Sequence, residues 1–117
     1  WVTGKEGLGL FLPGTLNRFA TVPHRESLNI NAALTISAWI RPADTHTRRI
    51  ISKTSPNGFE LGTSSTGQVE FAFNTSSAGQ TYRLRSRSSY AADGNTWTHV
   101  AATFDGTKSI LYINGVE

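Results

Sequence analysis

Residues 97–116 read WTHVAATFDGTKSILYINGV, and this stretch decides the fold class. Apolar residues alternate with polar or small ones over 100–104, which is the pattern of a β-strand with one buried face. Asp105-Gly106 is a turn pair, after which apolar residues resume at 109–113 and lead to a second turn pair, Asn114-Gly115. The stretch therefore predicts two antiparallel strands joined by a tight turn.

The same alternation occurs upstream of this stretch. LTISAWI at 34–40 places four apolar residues on one face, and Pro42 then ends the pairing. Residues 58–73 combine FELG, a Gly/Ser/Thr turn and QVEFAF, which together predict a hairpin. No window carries the apolar stripe of an α-helix, and only HRESLNIN at 24–31 suits a short helical turn. We therefore expect an all-β, antiparallel fold.

Composition limits the function classes that need to be considered. The 117 residues form one soluble domain, 1–117, or part of one, because no apolar run approaches the length of a membrane span. Charged residues make up only 16% and the formal net charge is +3, which argues against a dedicated nucleic-acid binder. The absence of cysteine excludes disulfides and Cys-based zinc sites.

Six segments of the chain follow one another in a recognisable order: GKEGLGLFLPGTLNRFATVPHRESLNI (4–30), LTISAWIRP (34–42), IISK (50–53), GFELG (58–62), WTHVAATFDG (97–106) and LYINGVE (111–117). Their order resembles the laminin G type of concanavalin A-like domain, especially its bacterial LamG-like jelly rolls. The resemblance implies a jelly-roll sandwich of two curved antiparallel sheets, found in secreted or cell-surface proteins. Such domains usually lack catalytic activity and often bind glycans or other proteins.

The chain departs from the family pattern at its end. Family members continue past the YINGV turn into further strands, whereas this chain stops at Glu117. We therefore expect either a fragment that lacks its C-terminal strands or a domain that another chain completes. Exposed sheet edges would then favour self-association or a completing partner chain.

A second departure concerns calcium, which some family members bind. Where they read FDGxxDYV, this chain reads FLPGTLNRFATV, so that Pro13 replaces the first acid and Asn17 stands near the second. Calcium requires six to eight oxygen ligands, several of them anionic. The resemblance therefore leaves calcium as an open cofactor, with Asn17 as the candidate ligand and a solvated turn as the alternative.

No motif predicts catalysis. Retaining glycosidases of this architecture carry paired acids on one strand, but Glu60 and Glu70 each lack an acidic neighbour at i+2 or i+4. The three histidines have no metal-binding spacing, and no GxSxG motif supports a catalytic triad. We expect a protein that is not an enzyme.

Aromatic residues give the first candidate site. Trp39, Trp97 and His99 project to the face opposite the apolar rows of their strands. An exposed Trp with polar neighbours stacks well on the apolar face of a sugar ring. The alternative is that both Trp side chains lie beneath loops that fold over the sheet.

Three arginines in TYRLRSRSSY (81–90) give the second candidate site. Arg83, Arg85 and Arg87 share one face of a strand at spacings of about 7 Å, spanning about 13 Å. Adjacent charges at this spacing repel by only about 0.6 kcal/mol in water, so a solvated face explains them. The alternatives are an acidic polysaccharide bound by this arginine stripe, joined by Arg41 if its strand lies in the same sheet, or in-sheet pairing with Glu60 or Glu70.

The sequence as a whole predicts a non-catalytic carbohydrate-binding or adhesive module of a larger secreted or cell-surface protein. Its partner would be a glycan, with an acidic polysaccharide as one candidate, and neither nucleic acid nor membrane insertion is expected. The alternative is a structural or protein-interaction domain that pairs through an exposed sheet edge and binds no small ligand.

Overall fold

A computed structural model describes residues 1–15, 18–30, 32–53, 58–73 and 82–117. Its regular structure consists of short strands and, at Glu26–Leu28, a 3-10 turn within the segment where the sequence predicts one. The part of the chain that is described contains no α-helix. The strands are β1 (Val2–Thr3), β2 (Leu8–Gly9), β3 (Leu34–Ile40), β4 (Arg48–Lys53), β5 (Phe59–Thr63), β6 (Gln68–Phe73), β7 (Tyr82–Ser89), β8 (Thr98–Phe104) and β9 (Ser109–Ile113).

These strands form two main antiparallel sheets and a small hairpin. One sheet has the order β3-β8-β9, the other has the order β4-β5-β6-β7, and β1 pairs with β2. The predicted hairpins are present as β5–β6 and β8–β9. The second turn pair adopts positive φ at both residues, Asn114 and Gly115, as a tight hairpin turn requires. The expectation of an all-β antiparallel sandwich is confirmed.

The hydrophobic core lies between the two main sheets. Leu61, Val69 and Phe71 from the four-stranded sheet and Val100 from the three-stranded sheet are fully shielded from solvent. The rings of Phe73 and Phe104 meet at a centroid distance of 4.4 Å and so join the two layers. Since side chains alternate along each strand, the residues between these inward positions must face away from the core. The two outer faces therefore point in opposite directions and form separate surfaces.

Gly62 marks an irregularity at the edge of the four-stranded sheet. The β4–β5 register shifts between Arg49 and Ile51, and an added Cβ at Gly62 would lie 2.6 Å from the carbonyl oxygen of Arg48. Only glycine permits this close approach of two backbones. The bulge lets β4 follow β5 where the register changes.

Among the described residues, no helix has the length and apolar character needed to cross a membrane.

Candidate functional site

The outer face of the three-stranded sheet carries a cross-strand aromatic pair. Trp39 on β3 lies directly opposite His99 on β8 in the antiparallel register. Their ring centroids are 5.1 Å apart and the ring planes are tilted by 54°. Trp39 is 44% exposed, so its indole still presents surface to solvent while it contacts His99.

A second pair continues the same two strands. Ile40 pairs with Thr98, which makes Arg41 and Trp97 the next opposed positions along the strands. The Arg41 guanidinium carbon lies 5.0 Å from the centre of the Trp97 ring, a distance typical of a cation–π contact. Trp39 and Arg41 are two residues apart and project on the same side, as do Trp97 and His99.

The β1–β2 hairpin supplies a fifth side chain. Lys5, in the turn of this hairpin, places its Nζ 5.0 Å from the centre of the Trp39 ring. The hairpin lies against Trp97 as well, since a Cβ added at Gly9 would be 3.9 Å from Cη2 of that ring. We call the surface formed by Lys5, Trp39, Arg41, Trp97 and His99 the aromatic face.

Glycines allow the two backbone segments of the hairpin to approach each other closely. A Cβ added at Gly4 would lie 3.0 Å from the backbone nitrogen of Gly9 on the opposite strand. The Gly4 N–H donates to the carbonyl of Gly7, which closes the turn with a 2.8 Å hydrogen bond. The sequence GKEGLGL therefore has a structural role, because it brings Lys5 over the sheet without a large side chain in between.

The loop before β8 holds Trp97 in place. Asp93 accepts hydrogen bonds from the backbone N–H groups of Asn95 and Thr96 and from the Thr96 hydroxyl, at 2.7–2.8 Å. The Thr96 hydroxyl first, and then the two backbone donors, lower the pKa of Asp93 from 3.8 to about 2. Gly94 donates to the carbonyl of Pro42 at 2.9 Å, which ties the loop to the segment after Arg41.

The backbone of His99 is fixed from the other edge of β8. Its N–H donates to Oδ1 of Asn114 at 2.9 Å, and its carbonyl accepts from the Asn114 N–H at 2.8 Å. The β8–β9 hairpin and the turn that follows it therefore hold the strand that carries His99. Such a rigid element is a good support for a binding residue.

Small side chains lie beside the aromatic pair on the same face. Ser37 pairs with Ala101, two residues along the strands from the Trp39–His99 pair. Ala101 in turn pairs with Tyr112 on β9. Tyr112 is half-buried. The exposed indole of Trp39 therefore has the short side chains of Ser37 and Ala101 beside it on the sheet.

The two Trp residues differ in how far the hairpin covers them. Trp97 is half-buried and contacts Arg41 and the hairpin backbone, which agrees with the alternative that a loop folds over it. Trp39 is contacted by the single ammonium of Lys5 and keeps nearly half of its surface. An apolar ring that is exposed beside hydrogen-bonding groups is suited to a sugar ring.

The arginine stripe lies on the other sheet. Arg83, Arg85 and Arg87 are exposed on β7, at the edge of the four-stranded sheet. Arg41 follows β3 in the three-stranded sheet and does not extend this stripe. The residues singled out from the sequence therefore fall into two sets on opposite sides of the sandwich.

Acidic side chains neutralise part of this second surface. Arg85 forms an ion pair with Glu70, its register partner on β6, and Arg49 donates from Nε to Glu60 at 2.6 Å. In-sheet pairing was one of the three alternatives for the stripe, and it holds for Arg85. In the described part of the chain, Arg83 and Arg87 form no ion pair.

The calcium prediction falls mostly outside the described residues, because Asn17 is not among them. The three aspartates are engaged with protein groups: Asp44 binds Arg48, Asp93 accepts from Asn95 and Thr96, and Asp105 accepts from the N–H groups of Lys108 and Thr107. The backbone N–H of Lys108, followed by that of Thr107, lowers the pKa of Asp105 to about 2. Within the ranges described, no three His, Asp or Glu side chains group as metal ligands.

Lys5 is the residue of the aromatic face that the sequence reasoning missed. It lies in the segment GKEGLGL (4–10), which gives no alternating pattern that would single it out. The flanking glycines were the available signal, because they predict close backbone approach at the turn.

Comparison with known proteins agrees with this architecture. Residues 13–117 match a laminin G family described as part of the concanavalin A-like lectin/glucanases superfamily. No curated protein and no solved structure gives a significant match. The match covers nearly the whole chain and confirms the resemblance seen in the order of the segments. The chain therefore belongs to this laminin G family of the concanavalin A-like lectin/glucanase superfamily.

Proposed function

We propose that the domain is a non-catalytic glycan-binding module of a larger secreted or cell-surface protein, and that its ligand binds on the aromatic face. One observation carries the proposal: Trp39 remains 44% exposed on a sheet surface, with His99 and the ammonium of Lys5 against its ring and Arg41 over the neighbouring ring of Trp97. The family membership supports a binding module.

Binding combines one apolar and several polar contacts. The C–H face of a pyranose ring stacks on the exposed indole of Trp39, displacing the ammonium of Lys5 towards the ring edge. Hydroxyls at the rim of the sugar then accept from Lys5 and Arg41 and exchange hydrogen bonds with the imidazole of His99. The surface is shallow, so we expect a modest affinity for one sugar ring and a higher affinity for a longer glycan.

The framework around the face supports this role because it is held before any ligand arrives. Asp93 and Gly94 fix the loop that leads to Trp97, and Asn114 fixes the backbone of His99. A backbone that is already ordered loses less entropy when a ligand binds.

Two observations support a non-catalytic module. Glu60 and Glu70, the acids that lie within strands, are on the outer face of the other sheet, away from the aromatic face. Each is bound to an arginine, Glu60 to Arg49 and Glu70 to Arg85. Both carboxylates therefore already have a partner within the protein, and neither lies on the face proposed for the glycan.

A glycan array followed by titration calorimetry tests the proposal. We expect the wild-type domain to bind at least one glycan, and Trp39→Ala to weaken that binding about tenfold or more, because stacking supplies much of the contact. Ile51→Ala is the matched control, since Ile51 is a large apolar residue that is 39% exposed on the opposite sheet. Equal affinity of Trp39→Ala and wild type would exclude the aromatic face as the site.

The edges of the two main sheets support a second function, which is pairing with another protein chain. In the ranges that are described, β7 pairs only with β6 and β9 only with β8, and a cleft of about 690 Å³ lies between these two edge strands. An extended segment of another chain could add to either edge by backbone hydrogen bonds. Light scattering over a range of concentrations tests for self-association, and a monomer at every concentration would exclude pairing between copies.

A further inference from the structure

We propose that the aromatic face selects glycans whose sugar rings carry carboxylates, and that Lys5 and Arg41 bind these carboxylates. The inference rests on the proposed glycan-binding function and adds the class of sugar. It concerns the aromatic face alone and is independent of the arginine stripe on β7.

The same arrangement, a cation over an indole ring, occurs twice on the aromatic face. Lys5 Nζ lies 5.0 Å from the centre of the Trp39 ring, and the Arg41 guanidinium carbon lies 5.0 Å from the centre of the Trp97 ring. Trp39 and Arg41 are separated by two positions of one extended segment, about 7 Å. The face therefore offers two neighbouring units, each with an apolar ring and a cation.

Both cations are available to a ligand. Along the described stretches, neither Lys5 nor Arg41 forms an ion pair, whereas Arg48, Arg49 and Arg85 are all paired with acids. A cation–π contact at an exposed site is weak compared with a charge-assisted hydrogen bond to a carboxylate. Each cation can therefore leave its ring for a carboxylate at little cost.

The position of the charge on a uronate ring fits this arrangement. Its carboxylate is attached directly to the ring and lies at the rim when the C–H face stacks on an indole. The planar guanidinium of Arg41 can bind both oxygens of a carboxylate, while the flexible stem of Lys5 lets its ammonium follow the ring edge. A neutral hexose gives the same stacking but leaves both cations without an anionic partner.

Matched polysaccharides provide the test. Polygalacturonate, alginate and hyaluronan oligosaccharides are each compared by calorimetry with their carboxyl-reduced counterparts, in which every carboxylate has become a hydroxymethyl group. We expect at least one native oligosaccharide to bind roughly tenfold more tightly than its reduced form at low salt, with the difference shrinking at high salt. If no native form binds more tightly than its reduced form, or if sulfated glycans are preferred, the inference is wrong.

Charge-neutral variants assign the effect to the two cations. Lys5→Gln together with Arg41→Gln should abolish the preference, so that the native and the reduced forms bind this variant with equal affinity. Arg83→Gln together with Arg87→Gln is the control, because it removes the same charge from the opposite sheet and should keep the preference. Retention of the preference in the Lys5 and Arg41 double variant would overturn the assignment.

The same experiment separates the inference from the function on which it rests. If native and reduced forms bind equally, or if the array hits are confined to neutral glycans, the domain still binds glycans but does not select for charge. If the domain binds no glycan, neutral or acidic, both the glycan-binding function and the selection for charge are contradicted.

Discussion

Trp39 and His99 face each other across strands β3 and β8, and their ring centroids are 5.1 Å apart. The pair links two strands of the sheet and at the same time leaves the indole of Trp39 accessible. A cross-strand aromatic pair of this kind contributes about 0.2–1 kcal/mol to the sheet, which is too little to explain stability by itself. Loss of either ring should therefore cost the fold little free energy.

Removal of the imidazole should affect binding more than folding. We expect His99→Ala to lower the free energy of unfolding by less than about 1 kcal/mol in urea denaturation, because the backbone of residue 99 remains held by Asn114. Glycan affinity should fall several-fold by calorimetry. Thr103→Ala, on the same strand and face, is the control, and an equal loss of affinity in that variant would contradict a specific role for His99.

Acid stability should depend on Asp93. Its pKa is about 2 in the folded protein against an ordinary value of 3.8, so the unfolded state takes up more protons between these values. The stability contributed by the ionised carboxylate is therefore complete above pH 3.8 and is lost as the pH falls towards 2. Asp93→Asn should flatten the dependence of the melting temperature on pH in this window.

Asp105 complicates this measurement because its pKa is also about 2. The single variants should each remove part of the acid transition, and Asp93→Asn with Asp105→Asn should remove more than either. Only the Asp93 variant should also weaken glycan binding at neutral pH, since its loop carries Trp97. An unchanged acid transition in the double variant would mean that other carboxylates dominate.

Gly62 should tolerate no side chain. A methyl group there would lie 2.6 Å from the backbone carbonyl oxygen of Arg48, so β4 or β5 must move. We expect Gly62→Ala to destabilise the domain by about 1–3 kcal/mol in urea denaturation, the usual cost of overpacking. Ser52→Ala, on the neighbouring exposed position of β4, should be nearly neutral. A Gly62→Ala variant as stable as wild type would show that the bulge relaxes freely.

Glu70 should limit the attraction of the arginine stripe for polyanions. Its ion pair with Arg85 is partly exposed and contributes less than about 1 kcal/mol to stability. Glu70→Gln frees the guanidinium between Arg83 and Arg87, so the protein should elute from a heparin column at higher salt. Glu26→Gln changes the net charge equally at a distant exposed site. Identical elution of the two variants would mean that the stripe has no local effect.

The strands of the two main sheets follow closely from the sequence because their physical signals are local. Alternation at 34–40 and 98–104 places Ile36, Val100 and Phe104 in the core, as the pattern predicts. The turn pair Asn114-Gly115 adopts positive φ because these residue types tolerate it. Period-two patterning and turn chemistry act over a few residues and can be read directly.

Which strands share a sheet could not be predicted in the same way. Arg41 and the stripe on β7 carry similar local patterns, yet they lie in different sheets. The sheet that a strand joins depends on the long-range packing of the two layers, which the local sequence pattern of either segment does not encode. For the same reason the contact between Lys5 and Trp39 could not be predicted, since 34 positions of chain separate them.

The three Trp side chains show directly whether a glycan binds on the aromatic face. Each indole N–H gives a separate resonance in a ¹⁵N–¹H correlation spectrum, and Trp1, which is 84% exposed, serves as an internal control. On titration with a glycan that binds, we predict shifts of the Trp39 and Trp97 indole signals and none for Trp1. Binding that leaves the Trp39 signal unmoved, with shifts confined to β7, would contradict the account.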